Sequence, residues 1–409
     1  MFSNGQRNRN TEYSKIKVCL IVTSQYERSP HCIRIATSLA KYFTVEIVEV
    51  DSQRKTNSVE IKDEIKVTTL GFKWWPKNLI LKFIVSFWRV LQVLLRAKAD
   101  VYTCCGLSSL IFAVPIKVLT KKKVIYDCYE HYPYQFTAPA LQKTISQYII
   151  WNFILGIENA LAQLSDYILV VPSYDNILLE RFKRLKKDSV SEIWNLPSLK
   201  LLDKGEKNNR PKNYKTILYV GAIGDNTGVF KLLESIPKVT IEFPNTKVLL
   251  IGSVNNLKEL LIYINHLGIE KNVEILKPIP YIEISKIYRS ADIGIVLYQP
   301  TFWTLRTKAS EKLFEYMLFS LPMVVSNFPG LREIVKTCNS GVLVDPTNVE
   351  EISRVLIRLL RNPHLADMLG KNGRNAVLTR YNWEYEEKKL IYVYSHLRAP
   401  ACNVIDRSI

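Results

Sequence analysis

The stretch Arg306–Pro346, RTKASEKLFEYMLFSLPMVVSNFPGLREIVKTCNSGVLVDP, leaves few folds open to this chain. It reads as a helix, a short buried strand, a proline–glycine turn, a second helix and a second strand. Leu313, Phe314, Met317, Leu318 and Leu321 recur at helical spacing and give the first helix an apolar face. Ser310 stands where its hydroxyl would cap that helix. Pro322 ends it. Met323–Ser326 then run uncharged, as strands of a parallel sheet do when helices cover both faces. Asn327–Gly330 turn the chain at the carboxyl end of that strand, where open α/β sheets bind ligands.

The same alternation continues along the chain. In the first half, strands are expected at Lys17–Thr23, Val45–Val50, Val67–Leu70, Val101–Cys104, Lys123–Tyr126 and Tyr167–Val171. Helices are expected at Ile33–Tyr42, Leu79–Arg96, Leu110–Leu119, Leu141–Leu164 and Asn176–Arg184. After Leu199 the sequence LKLLDKGEKNNRPKN turns polar and charged, as a linker does. Strands resume at Thr216–Val220, Lys247–Ile251, Val273–Leu276, Ile293–Leu297 and Met323–Ser326, with late helices at Val349–Arg361, Ala366–Leu378 and Asn382–Leu397. The expected organisation is a first lobe over 1–199, a linker over 200–212, a second lobe over 213–381 and a final helix and tail over 382–409. The fold class is α/β, with two doubly wound, Rossmann-like parallel sheets facing a cleft.

Composition narrows the class. With 409 residues, 47% hydrophobic and 23% charged, the chain has ample core for two such lobes. No apolar run is long enough to span a bilayer, and the polar start MFSNGQRNRNTEYSK does not read as a secretory leader. Seven cysteines without CxxC spacing suit a reducing compartment, and Cys104–Cys105 suit a buried strand. The net charge is +18, of which residues 1–200 hold +11. Lys121–Lys123 and Arg181–Lys187 concentrate it beside WWPKNLILKFIVSFWRVLQVLLR. Within that helix, Asn78, Lys82, Ser86, Arg89, Gln92 and Arg96 form one polar stripe, and Trp74, Trp75 and Trp88 are costly to leave in water. This combination points to an anionic membrane surface, the alternative being a helix packed under the sheet with its stripe in solvent. Nucleic acid is set aside, because no zinc-finger spacing, recognition helix or aromatic RNA-binding motif accompanies the charge. No DxD triplet or His/Cys ligand cluster appears, and no metal or cofactor is expected.

Candidate chemistry gathers where the Glu311–Lys312–Glu315 helix begins. A carboxylate beside a lysine, a helix N-terminus and a glycine turn suits a sugar nucleotide. Glu315 accepts ribose hydroxyls, while Lys312 and the helix end meet phosphate. The block K-L-F-E-Y-M…L-P-M-V-V-S-N-F-P-G…E-I-V…G-V-L-V-D-P resembles the nucleotide-sugar site of the family 4 glycosyltransferases, which have the two-lobed GT-B fold. Ser38-Leu39-Ala40, VIYDCYEHYP (Val124–Pro133), NLP at Asn195, LYVGAIGDNTG (Leu218–Gly228), LIGS (Leu250–Ser253) and ADIGIVLY (Ala291–Tyr298) extend the likeness over nearly the whole chain. The resemblance implies a final helix crossing back to the first lobe. It also implies a donor site at Gly221, Gly224, Arg306, Lys308, Lys312, Glu315, Gly330 and Glu333. Asp127, Glu130 and Lys312 are the catalytic candidates. His131 is weighed as a base, and Tyr298 and Phe302 as stacking rings.

The chain also departs from the family. Thr307 stands where many relatives carry the first of two glutamates. Ala222 and Thr227 replace two cations usual at the diphosphate, and Tyr129 replaces a usual histidine. The implied activity is a metal-independent, retaining, hexosyltransferase-like transfer from a nucleotide-sugar to a saccharide or lipid-linked hydroxyl. Its setting would be cell-surface polysaccharide or glycolipid biosynthesis, on the cytoplasmic face of a membrane. The departures motivate two alternatives: a noncatalytic scaffold or partner subunit on the same fold, and a sugar-nucleotide epimerase.

Overall fold

The computed structural model describes residues 16–23, 25–51, 54, 56–71, 79–137, 145–203, 213–308 and 310–397. Trp74, Trp75, Asn78 and most of the expected linker lie outside them. The first lobe is built on an eight-stranded sheet: β1 (Lys17–Val22), β2 (Thr44–Val50), β3 (Ser58–Lys62), β4 (Ile65–Leu70), β5 (Val101–Cys105), β6 (Lys123–Cys128), β7 (Tyr167–Val170) and β8 (Val190–Glu192). Their spatial order is β3-β4-β2-β1-β5-β6-β7-β8. The second sheet has β9 (Lys215–Val220), β10 (Thr246–Ile251), β11 (Val273–Leu276), β12 (Ile293–Val296), β13 (Met323–Ser326) and β14 (Gly341–Val344), in the order β11-β10-β9-β12-β13-β14. Among the described residues every ladder is parallel except β3 with β4, an antiparallel hairpin the sequence reading did not anticipate.

The strands are apolar on both faces because both faces are covered. In β1, Val18 and Leu20 point into one core while Cys19 and Ile21 point into the other. Helices Leu79–Ala97, Leu107–Thr120, Ile145–Leu164 and Ile177–Leu185 cover one side of the first sheet. Val90, Leu91 and Leu94 face that sheet, and Arg89, Gln92 and Arg96 face solvent together with Trp88. The opposite side takes the helix Pro30–Ala40 and the last helix, Trp383–His396. Trp383 donates its indole N–H to Ser38 at 2.7 Å, and the Tyr394 hydroxyl lies 2.6 Å from that of Thr103. The C-terminal helix therefore crosses back onto the first lobe.

Each sheet reverses its strand order once, between β1 and β5 and between β9 and β12. Such switch points open a crevice at the strands' carboxyl ends. Here the two crevices face one another.

Candidate functional site

A cavity of about 820 Å³ fills the space between the lobes. Its walls are the residues that leave the sheets at the switch points. Thr23 and Gln25 follow β1, Asp51 follows β2, and Glu130 follows β6. Gly221 follows β9, Gly252 follows β10, and Tyr298 follows β12.

The second-lobe wall is shaped by two glycine turns and one helix. Gly252 has φ +154°, and a Cβ there would stand 1.8 Å from the Gly221 carbonyl oxygen. The two turns therefore touch backbone to backbone, which only glycine permits. The amide of Gly221 donates to Ile251 at 2.9 Å, and that of Ile223 to Ser253 at 2.8 Å. Lys312 lies over the Gly221 turn. Its Nζ donates to the Tyr219 hydroxyl at 3.1 Å, 4.2 Å above that ring's centroid and 5.1 Å above that of Tyr298. An ammonium between two aromatic faces is held in place while its charge still faces the cavity.

Glu315 lies one helical turn further on. It is 4% exposed and lines the cavity. Tyr288 donates to its Oε2 at 2.5 Å, and its Oε1 has no hydrogen-bond partner. Burial, then the neighbouring Glu311 charge, push its pKa up to about 8 against the opposing pull of the Tyr288 bond, the Arg34 charge and the Tyr281 hydroxyl. Glu311 is more than a helix-start charge. Arg34, fully buried on the first-lobe helix, reaches across and places Nη2 2.6 Å from its Oε1, with Nη1 donating to the Tyr281 hydroxyl at 3.2 Å. Ser310 is the N-cap residue, but its hydroxyl makes no capping bond. It pairs instead with the Tyr298 hydroxyl at 3.2 Å, which corrects the expected cap.

The first-lobe wall presents Glu130, whose pKa burial raises to about 7, and the exposed Arg28. Asp127 is buried and does not line the cavity. Its Oδ2 lies 2.6 Å from His31 Nε2, and His31 Nδ1 lies 2.6 Å from Asn195 Oδ1. Burial opposes a charge on His31, but the Asp127 carboxylate outweighs it and holds the imidazole above its ordinary pKa.

The structure thus brings together Gly221, Tyr298, Lys312, Glu315 and Glu130. The remaining candidates do not line this cavity. Arg306 pairs with Asp175 of the first lobe at 2.7 Å, and Lys308 pairs with Glu333 at 2.9 Å. Gly330 lets its helix approach Thr307, whose carbonyl a Cβ would meet at 2.5 Å. Gly224 donates its amide to the Thr227 hydroxyl. His131 and Phe302 join an aromatic group with Trp151 and Trp303, ring centroids 5.1 to 5.5 Å apart around the histidine. Sequence reasoning missed His31, Arg34, Arg28 and Tyr288. Arg28 lies in the connection after β1, a position the switch-point rule singles out, while His31 and Arg34 lie on the helix Pro30–Ala40 that follows. Nothing local marks Tyr288. Among the described residues no group of three or more His, Cys, Asp or Glu could hold a metal ion.

Residues 203–376 match the family model of the group 1 glycosyl transferases. That region is the lobe carrying Gly221, Lys312 and Glu315. An uncharacterized glycosyltransferase of Methanocaldococcus jannaschii is 29% identical over 184 residues, 44% of this chain and 44% of that one. The chain therefore spans less than half the length of that relative. Sucrose-phosphate synthase from Thermosynechococcus elongatus superposes with a TM-score of 0.71 at 16% identity, covering 94% of this chain and 99% of that one. Anabaena HepE, solved in complex with UDP-glucose, gives 0.68 at 13% identity over 93% and 99%. At these identities the likeness over the whole chain is one of fold alone, and that fold is GT-B.

Proposed function

We propose that the protein is a glycosyltransferase that moves a sugar from a nucleotide-sugar to an acceptor hydroxyl. In this reading it belongs with the retaining family 4 enzymes and uses no metal. One observation carries it: Glu315 Oε1 is buried, unpartnered and set in a cavity wall beside an oriented lysine. An orphaned carboxylate oxygen calls for a hydroxyl donor, and ribose supplies one where Lys312 can meet the adjoining phosphate.

In the transfer, the bond from the anomeric carbon to the diphosphate oxygen breaks and one to the acceptor oxygen forms. Lys312 stabilises the charge left on the diphosphate, and Arg28 faces the same cavity from the other lobe. Glu130, poised near neutrality on the acceptor side, takes the acceptor hydroxyl's proton. Closure of the lobes aligns the reactants and excludes water. The acceptor is a saccharide or lipid-linked saccharide of a cell-surface polysaccharide or glycolipid, reached from the cytoplasmic side of a membrane. The basic first lobe supports that choice.

Thermal-shift screening of nucleoside diphosphates and their sugars tests the donor site, followed by turnover of any binder with acceptor extracts. Stabilisation by one nucleotide, lost in Glu315→Ala, is expected. No shift with any of them would remove the donor reading. Binding without turnover would favour a noncatalytic scaffold, and a new sugar nucleotide formed without acceptor would favour an epimerase.

A further inference from the structure

The helix Ile145–Leu164 presents to solvent a face without charge. Ile145 is 83% exposed, Ile149 61% and Phe153 66%, one per turn, and Tyr148, Ile150 and Ile157 widen the ridge. The helix has a single charged residue, Glu158, and that one is turned inward, buried, with Arg181 at 2.8 Å and the Tyr126 hydroxyl at 2.7 Å. A 20-residue helix is about 30 Å long. The exposed apolar strip from Ile145 to Ile157 covers about 18 Å of that length, which is not a scatter of single exposed side chains, and it calls for a covering surface.

The surroundings say which kind. Two helices flank this one on the same side of the sheet. Leu107–Thr120 exposes Val118 and Leu119 and ends at the exposed Lys121. Ile177–Leu185 exposes Lys183 and Arg184, followed by Lys187. Cations thus stand exposed on the two helices that flank the ridge, with the acids Glu180 and Asp188 among them, within a first half whose net charge is +11. Among the described residues no helix is long and apolar enough to cross a membrane. An uncharged ridge on a lobe with a net positive charge, flanked by helices that expose lysine and arginine, matches the apolar interior and anionic headgroups of a bilayer.

We propose that the outward face of Ile145–Leu164 is the surface on which the protein lies in an anionic membrane. It is the ridge that enters the headgroup layer. This rests on the reading of the acceptor as lipid-linked and gives it a geometry. On the inner side of the same helix, Trp151 stacks 5.1 Å from His131, the residue after Glu130. The ridge therefore runs beside the acceptor wall of the cleft, and a saccharide carried on a lipid phosphate in that leaflet meets Glu130 without leaving the membrane.

The test is co-sedimentation of the full chain with vesicles of phosphatidylcholine containing 30% phosphatidylglycerol, at low and at high salt. The wild type is expected to pellet, less so as salt rises. Ile149→Glu/Phe153→Glu is expected to lower the partition at least about tenfold, since each substitution removes an apolar anchor and adds a like charge. Lys183→Glu/Arg184→Glu is expected to lower it on anionic vesicles only, by roughly fivefold per cation. Both changes are on exposed positions, so melting temperature and nucleoside diphosphate affinity are expected to stay at wild-type values. Failure of the wild type to pellet, or equal pelleting of the ridge variant, overturns the proposal. So does a dimer in light scattering that the ridge substitutions dissociate, because a second copy would then be the cover. Loss of membrane binding with nucleotide binding intact separates this inference from the donor site. The converse, vesicle binding without any nucleotide binding, would sink the enzymatic reading and leave the surface standing.

Discussion

Glu315 answers to two demands at once: the fold buries it, and the proposed donor site calls for its charge. Burial and the Glu311 charge lift its pKa from 4.5 to about 8. The folded state therefore binds a proton that the unfolded chain releases near 4.5. Stability from this group is present below pH 4.5 and is lost as pH rises through about 8. Thermal melts from pH 5 to 9 are expected to show a decline in the wild type that Glu315→Gln lessens, because glutamine copies the protonated acid. Equal slopes would refute the burial argument. For donor affinity the same substitution is expected to matter little near pH 6 and increasingly above pH 8, where the wild-type carboxylate is ionised. Glu130 makes the complementary case on the acceptor side. With a pKa of about 7, its ionisation is expected to produce a rising limb in kcat near neutrality. Glu130→Gln is expected to lose that limb along with at least about a hundredfold in rate. A limb that persists in the variant would assign the proton to another group.

Among the elements, the glycine turns after β9 and β10 hold the tightest geometry in the site. Gly252 has φ +154°, and its missing Cβ leaves room for the Gly221 carbonyl at 1.8 Å. Gly252→Ala forces the two turns apart and tilts the Gly221 turn from under Lys312. The expected cost is about 1–3 kcal/mol of stability, read by urea unfolding, with weaker nucleoside diphosphate binding beside it. Unchanged affinity would show that the turn does not set the lysine. The turn itself was legible, because L-Y-V-G-A-I-G sits between an apolar strand and a helix. The helix Glu311–Leu318 and the strand after it were legible for the same reason, a clean change of period at Pro322. The β3–β4 hairpin was not. Its turn is Asp63-Glu64 at φ 46° and 66°, a left-handed pair built without the glycine or asparagine that marks such turns. Arg306, Lys308, Gly330 and Glu333 sit close to the motif in sequence, yet the chain turns them toward Asp175 and toward each other. Spacing along a strand–turn–helix unit gives proximity to a crevice, but the direction of a long side chain is decided by partners far off in sequence.

The whole molecule is held closed by groups that no single lobe accounts for. Arg34 is fully buried, with its guanidinium against Glu311 of the other lobe and 5.5 Å above the ring of Trp383 on the crossover helix. Its pairing partner is partly wet, so the two halves of the bridge are not equivalent. Removing Glu311 strands a charge that water cannot reach, which costs about 3–5 kcal/mol. Replacing Arg34 by methionine fills a similar volume, keeps the stacking under Trp383 apolar, and leaves Glu311 free to rehydrate. Glu311→Ala is therefore expected to lower the urea midpoint far more than Arg34→Met, although each deletes the same ion pair. The functional effect is expected to run the other way. Without Arg34 the first lobe loses its grip on the donor helix, so Arg34→Met is expected to enlarge the radius of gyration in solution scattering and to lower kcat while the fold stays intact. Equal destabilisation by the two substitutions would mean that both charges are compensated within their own lobes. The bridge would then report closure rather than maintain it.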